Sequence, residues 1–175
     1  MERALDLPVN LHGASLSIDS DGPGATARVA VAVADLAVAS DVLVLGGDLG
    51  AGKTAFTKAF GAALGIAEHI TSPTFTLVQR YDGGRLVLHH LDVYRLDHVD
   101  ETIDLALPEL FEDGSVVVIE WGDTILSVLP QNYLFVNFVF GDGDDERTIE
   151  LSAVGSPWQA RMRSLREALE GATSC

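Results

Sequence analysis

Gly47-Asp48-Leu49-Gly50-Ala51-Gly52-Lys53-Thr54 constrains this chain more than any other segment. It satisfies G-x-x-x-x-G-K-[ST] in the context that pattern requires: Asp41-Val42-Leu43-Val44-Leu45 reads as a buried strand running into it, and Lys53 to Leu64 reads as the helix that follows, ended by Gly65. Bare glycines in such a loop let consecutive backbone N–H groups surround an anion at the positive end of the helix. Lys53 adds a charge. Thr54 offers a hydroxyl to a Mg²⁺ ion, which otherwise takes oxygens from phosphates, waters and a carboxylate. The segment therefore predicts a cradle for the β- and γ-phosphates of a nucleotide, with Lys58 on the exposed face of the helix.

A carboxylate at a strand end is the second requirement, and two positions offer one. Asp92 lies in His90-Leu91-Asp92-Val93-Tyr94, where a period of two puts His90, Asp92 and Tyr94 on one face. Glu120 ends the apolar run Ser115-Val116-Val117-Val118-Ile119. Either can meet the metal directly or through water, leaving the other to position an attacking water or sense the γ-phosphate. A transition-metal site at His89-His90-x-Asp92 is disfavoured, because adjacent strand residues face opposite ways; His90 reads as a hydrogen-bonding partner. Trp121 reads as core or edge packing, or else as a contact with nucleotide or partner beside Glu120.

Around these motifs, Ala14 to Asp19 alternates like an edge strand and Ser20 to Gly24 reads as a turn. Thr26 to Ala39 alternates valines but is alanine-rich and long, which favours a helix. Thr74–Tyr81 and Arg85–Tyr94 flank Asp82-Gly83-Gly84, and Tyr133–Phe140 and Arg147–Ala153 flank Gly141 to Asp145; both read as antiparallel hairpins, the first with a tight turn. Asp97 to Glu112, acidic and broken by Pro108, suggests short surface helices. Ser156, Pro157 and Gln159 form a capping-box pattern, and Trp158, Met162, Leu165 and Leu169 make the following helix one-sided, so residues 156–170 are expected to dock on the body. With no repeat or linker, the 175 residues predict one α/β domain with a mixed parallel and antiparallel sheet.

Composition excludes several functions. Eleven basic against 26 acidic residues give a net charge of −15, the wrong sign for a chain that grips RNA or DNA by neutralising phosphates. Any nucleic acid is expected to be held mostly by another protein. No apolar run reaches membrane-spanning length, and Met1 to Pro8 is acidic where an export leader would be basic and then apolar. The lone Cys175 cannot form an internal disulfide, which fits a reducing cytoplasm. No Gly-x-Ser-x-Gly elbow or Cys–His pairing points to a covalent nucleophile.

The order of these motifs resembles the TsaE (YjeE) ATPases of bacterial tRNA threonylcarbamoyladenosine biosynthesis. Gly47 to Thr54 looks like that family's phosphate loop and Ser72-Pro73-Thr74-Phe75-Thr76-Leu77-Val78 like its switch-type segment. His90 to Leu96 looks like its Walker B-like strand, and Ile119-Glu120-Trp121 is similar to its second acidic site. The resemblance implies a P-loop NTPase three-layer sandwich that binds ATP and Mg²⁺ and hydrolyses ATP weakly alone. It would act with TsaD- and TsaB-type proteins, TsaC supplying the activated threonylcarbamoyl group, and meet tRNA only through that complex. It further implies that Gly50 through Ala55 wrap the phosphates, that Thr54 and Glu120 are magnesium ligands, and that Asp92 supports the metal or hydrolysis. Ser72 and Thr74 would belong to a segment that changes with nucleotide state. Thr26 and Arg147 occupy places where the family's N-terminal segment and last hairpin approach the nucleotide. Ala55 departs from the hydroxyl residue often found after this loop, and the helix from Pro157 extends past the recognisable region. A small-molecule kinase would use the same loop, but the acidic balance and the lack of an arginine-rich lid weigh against it. No Asn-Lys-x-Asp base reader supports a GTPase, and a binding module with negligible turnover is the remaining alternative.

Overall fold

Which strands lie inside a sheet follows from where their side chains can go. Val42–Gly47 (β2) and Val116–Glu120 (β5) are near-continuous Val/Leu/Ile runs suited to burial on both faces, as a parallel sheet covered by helices requires. The computed structural model describes residues 14–95 and 107–172, and in it these two strands pair in parallel at the centre of a seven-stranded sheet. Leu88–Asp92 (β4) joins β5 in parallel, and Tyr133–Phe140 (β6) joins the other side of β2 in parallel. Val78–Tyr81 (β3) adds antiparallel to β4; Arg147–Val154 (β7) and then Ser15–Ser20 (β1) add antiparallel beyond β6. The order is β1-β7-β6-β2-β5-β4-β3, so the mixed α/β sheet expected from sequence is observed, with β1 at its edge.

Helices cover the two faces unequally. Pro23–Leu36 (α1), Lys53–Ala63 (α2) and Ser156–Ala172 (α4) pack on one face, where Val29, Val33, Phe56, Phe60, Trp158, Met162 and Leu165 meet Leu43, Leu45, Val118, Leu134, Val136, Ile149 and Leu151. Among the described residues the other face carries only the short Leu107–Glu112 (α3) and a 3₁₀ segment, Gly122–Val128, over Val42, Val44, Val117, Ile119 and Phe135. Toward β7 and β1 that second face is left to exposed Ser15, Ser17, Asp19 and Glu150. Among the described residues no helix is long and apolar enough to cross a membrane.

Arginines tie the helix ends down. Arg85 donates to the carbonyls of Ala34 and Ala37 at the end of α1, satisfying acceptors that helix geometry leaves open. Arg161 of α4 grips Asp41 with both terminal nitrogens, at 2.6 and 2.7 Å, and also donates to the Leu36 carbonyl. The apolar face expected for the C-terminal helix is thus docked, with Trp158, Met162 and Leu165 all buried.

Four local expectations need correction. The first hairpin is neither long nor tight: β3 begins at Val78, β4 spans only Leu88–Asp92, and Tyr81 faces Leu88 across residues 82–87. Residues 74–77 form a turn instead of a strand start, with Leu77 at a φ of 63°. Pro108 is the second residue of the short α3 and does not break it, since a first-turn residue needs no N–H partner, while residues 97–106 lie outside the described residues. In α4, Ser156 is already helical and the first turn closes from the Gln159 N–H to the Gly155 carbonyl, so Gly155, at a φ of 81°, takes the place expected of a Ser156 cap.

Candidate functional site

In a sheet of this kind the carboxyl ends of the parallel strands open onto a shared crevice. Register brings three of them level: Leu45 of β2 lies beside Glu120 of β5, and Asp92 of β4 lies beside the same Glu120. The glycine loop leaves β2 at this point. Gly47, at a φ of 119°, passes so close to β6 that a Cβ there would stand 2.5 Å from the Phe138 carbonyl oxygen. Gly52, at a φ of 118°, starts α2 from a left-handed turn that L side chains resist. The first N–H groups of α2 have no intrahelical partners.

Lys53 lies beneath this loop with its ammonium at 2.6 Å from the Gly47 carbonyl and 2.8 Å from that of Asp48. The same Nζ stands 3.7 Å from the centre of the Trp121 ring, a cation–π contact. Burial pulls the ammonium below its ordinary pKa of 10.5, opposed by the charges of Glu120, Asp123, Asp92 and Asp48. Trp121 reaches Lys53 because its backbone is left-handed, with a φ of 61°, and Tyr94 lies against the ring with centroids 4.8 Å apart. Trp121 thus packs at the edge of the core, as one sequence reading has it, and also meets Lys53 beside Glu120.

The two carboxylates, both buried, have different partners. Glu120 accepts from the Thr54 hydroxyl at 2.9 Å through Oε2 and lies 2.8 Å from His90 Nε2 through Oε1. Asp92 accepts from the hydroxyls of Ser72 and Thr74 through Oδ2, at 2.8 Å each, and from the Tyr94 N–H through Oδ1 at 3.0 Å. Glu120 thus faces the phosphate loop and Asp92 faces the 72–74 segment. His89, on the opposite face, meets Ser115 Oγ at 3.0 Å and Asp113 at 3.6 Å, so the two histidines share no site.

Thr54 and Glu120 suit a hard cation. Among the described residues no group of three or more His, Cys, Asp or Glu side chains forms a protein-only metal cage. The 2.9 Å between the Thr54 and Glu120 oxygens is also close to one edge of a Mg²⁺–oxygen octahedron with bonds of about 2.1 Å, so both can serve one ion with little movement.

Thr26 and Arg147 lie at the same end of the sheet but apart from this cluster. Buried Thr26 pairs with Ser20 at 3.1 Å, whereas Arg147 donates to the carbonyls of Asp144 and Glu146 and stacks on Phe140. Arg147, Arg28, Ser20 and Asp142 are among the residues lining a cavity of about 610 Å³. The structure brings the loop, Thr54, Asp92, Glu120, Ser72, Thr74 and Trp121 together. The hold of His90 on Glu120 was only half visible: strand period put His90 beside Asp92, but the bond depends on the β4–β5 register.

Comparison with known proteins adds a family. Residues 20–149 match the model for "Threonylcarbamoyl adenosine biosynthesis protein TsaE". The tRNA threonylcarbamoyladenosine biosynthesis protein TsaE of Bacillus subtilis is 45% identical over 137 residues, 78% of this chain and 85% of that protein. Its namesake from Treponema pallidum is 44% identical over 125 residues, 71% of this chain and 92% of that protein. The crystal structure of Bacillus subtilis YdiB superposes with a TM-score of 0.73 at 37% identity, covering 93% of this chain and 98% of that one.

Proposed function

The chain belongs to the TsaE family, and from that premise we propose that it is a Mg²⁺-dependent ATPase of the cytoplasm, acting with TsaB- and TsaD-type proteins and reaching tRNA only through them. Membership alone makes it a protein of tRNA threonylcarbamoyladenosine biosynthesis. The observation that carries the finer reading is the joining of the phosphate loop to a carboxylate, Thr54 Oγ1 to Glu120 Oε2, at the carboxyl ends of the central parallel strands.

Each residue then has a role that follows from its surroundings. Loop amides and the first turn of α2 receive phosphate oxygens, and Lys53 exchanges its two carbonyl partners for them. Thr54 and Glu120 hold Mg²⁺, which when bound neutralises phosphate charge. Asp92, with both oxygens already engaged, keeps Ser72 and Thr74 beside the site; it is a positioning group and not a free base. Trp121 holds the Lys53 chain in line. On this reading Thr26 and Arg147, at the same end of the sheet, are assigned to the rest of the nucleotide, beyond the phosphates.

The test is Mg²⁺-dependent ATP hydrolysis by wild type and Lys53→Ala, each with and without TsaB and TsaD. Wild type is expected to be slow alone and stimulated in the complex, and Lys53→Ala to lose at least about 100-fold, the scale of removing one preorganised electrostatic contact. Hydrolysis that partners do not change overturns the partner-coupled reading. ATP binding without hydrolysis in any mixture favours a binding module.

A further inference from the structure

We propose that His90 is a positioning residue for the cation site: its Nε2–H fixes the Glu120 carboxylate so that Oε2 stays turned toward Thr54. The inference rests on the reading of Thr54 and Glu120 as the Mg²⁺ pair and assigns a duty to a side chain that reading does not use.

The β4–β5 ladder supplies the geometry. Asp92 stands directly opposite Glu120, and His90, two residues earlier on the same face of β4, reaches diagonally across to Glu120 Oε1 at 2.8 Å. The imidazole is fully buried. Its other nitrogen, Nδ1, has no hydrogen-bond partner among the described residues, and a buried N–H with none is costlier than a bare lone pair, so the hydrogen belongs on Nε2. A carboxylate beside it can only accept, so the hydrogen bond has one direction.

Buried carboxylates also need hydrogen-bond donors for their oxygens. Asp92 has three, from Ser72, Thr74 and Tyr94, whereas Glu120 has only Thr54 and His90 as hydrogen-bond donors among the described residues. When the Thr54 hydroxyl and Oε2 turn to a cation, the hydrogen bond between them is given up. His90 is then the one donor of that pair still restraining the carboxylate. Groups that orient a metal-binding carboxylate in this way typically change metal affinity by about 10- to 100-fold when removed.

The experiment is a calorimetric titration of ATP into wild type, His90→Leu, His90→Asn and His90→Gln, over a series of Mg²⁺ concentrations and in EDTA, with thermal unfolding of each. His90→Leu lacks a donor, and His90→Asn is too short to carry its amide to Glu120. Both are expected to need about tenfold more Mg²⁺ or beyond for half-maximal enhancement of ATP binding, with affinity in EDTA unchanged. His90→Gln, whose amide nitrogen reaches the Nε2 position, is expected to restore most of the Mg²⁺ dependence. Unchanged Mg²⁺ dependence in both His90→Leu and His90→Asn overturns the proposal. So does equal weakening with and without Mg²⁺, which marks a merely structural histidine, or a His90→Gln no better than His90→Asn. Should His90→Leu fail to fold, the contrast between His90→Asn and His90→Gln decides alone. Wild type that binds ATP identically with and without Mg²⁺ would instead sink the reading of Thr54 and Glu120 on which this rests.

Discussion

The parallel and antiparallel halves of the sheet treat polar side chains in opposite ways. In β2, β4, β5 and the start of α2, the helices above and the short segments below exclude water, yet Lys53, Thr57, His89, His90, Asp92 and Glu120 are all buried. Each has a partner: carbonyls, hydroxyls, a ring or one another. In β7 and β1 the face that no helix of the described residues covers carries Asp19, Thr148 and Glu150, joined by long or exposed hydrogen bonds such as Asn137 to Glu150. A low-dielectric surrounding strengthens a satisfied polar contact and penalises an unsatisfied one. The covered half can therefore hold a charge network in one arrangement, and the open half tolerates its polar groups as individuals.

Substitutions can break or sharpen that contrast. The largest expected change is at the seam between β2 and β6, where Gly47→Ala adds a Cβ 2.5 Å from a backbone oxygen at a φ only glycine adopts easily. It should cost about 3 kcal/mol in urea denaturation, since the atom it meets is main chain and cannot swing away. Arg161→Ala, which leaves the Asp41 carboxylate buried without its bidentate partner, should cost about 2–3 kcal/mol by the same measurement, lessened because Arg161 is partly exposed. A loss as small as those on the open face would show that burial does not set the scale.

The third change depends on pH. Burial holds the His89 imidazole below its ordinary value of 6.5, against the pull of Asp113. The unfolded chain thus takes up the proton first. The contribution of neutral His89 to stability is intact above about pH 6.5 and is lost as pH falls from there toward the folded-state value. Unfolding free energy measured between pH 7 and 5 should fall by at most about 1.4 kcal/mol per pH unit from this group. His89→Gln should flatten that part of the profile, and an unchanged slope would assign it elsewhere. Smallest of all, Glu150→Ala on the open face should stay within about 0.5 kcal/mol of wild type.

What could be read in advance was the part written in local pattern. The strand, glycine loop and helix of residues 42–63, the apolar runs of β5 and β6 and the one-sided α4 all declare themselves by spacing. Residues 72–77 did not, because Ser72 and Thr74 are drawn aside by Asp92, eighteen or more positions away, and Leu77 turns left-handed to bring them there. Likewise Trp121 meets Lys53 only after β2 and β5 have set their register and its own backbone has turned. Residue identity pointed to Asp92 and Glu120, but which of them faces the loop is a fact of the sheet.

The grip of Arg161 on Asp41 also bears on the order in which the molecule can be completed. Asp41 stands immediately before β2, whereas Arg161 belongs to a helix that follows every strand. On a ribosome the foundation of the phosphate loop is made early and is fastened only after more than a hundred further residues have emerged, with the sheet's apolar face awaiting Trp158 and Leu165 until then. A nascent chain halted before α4 would carry the loop's whole sequence on an unfinished support, open to proteases or in need of a chaperone's shelter.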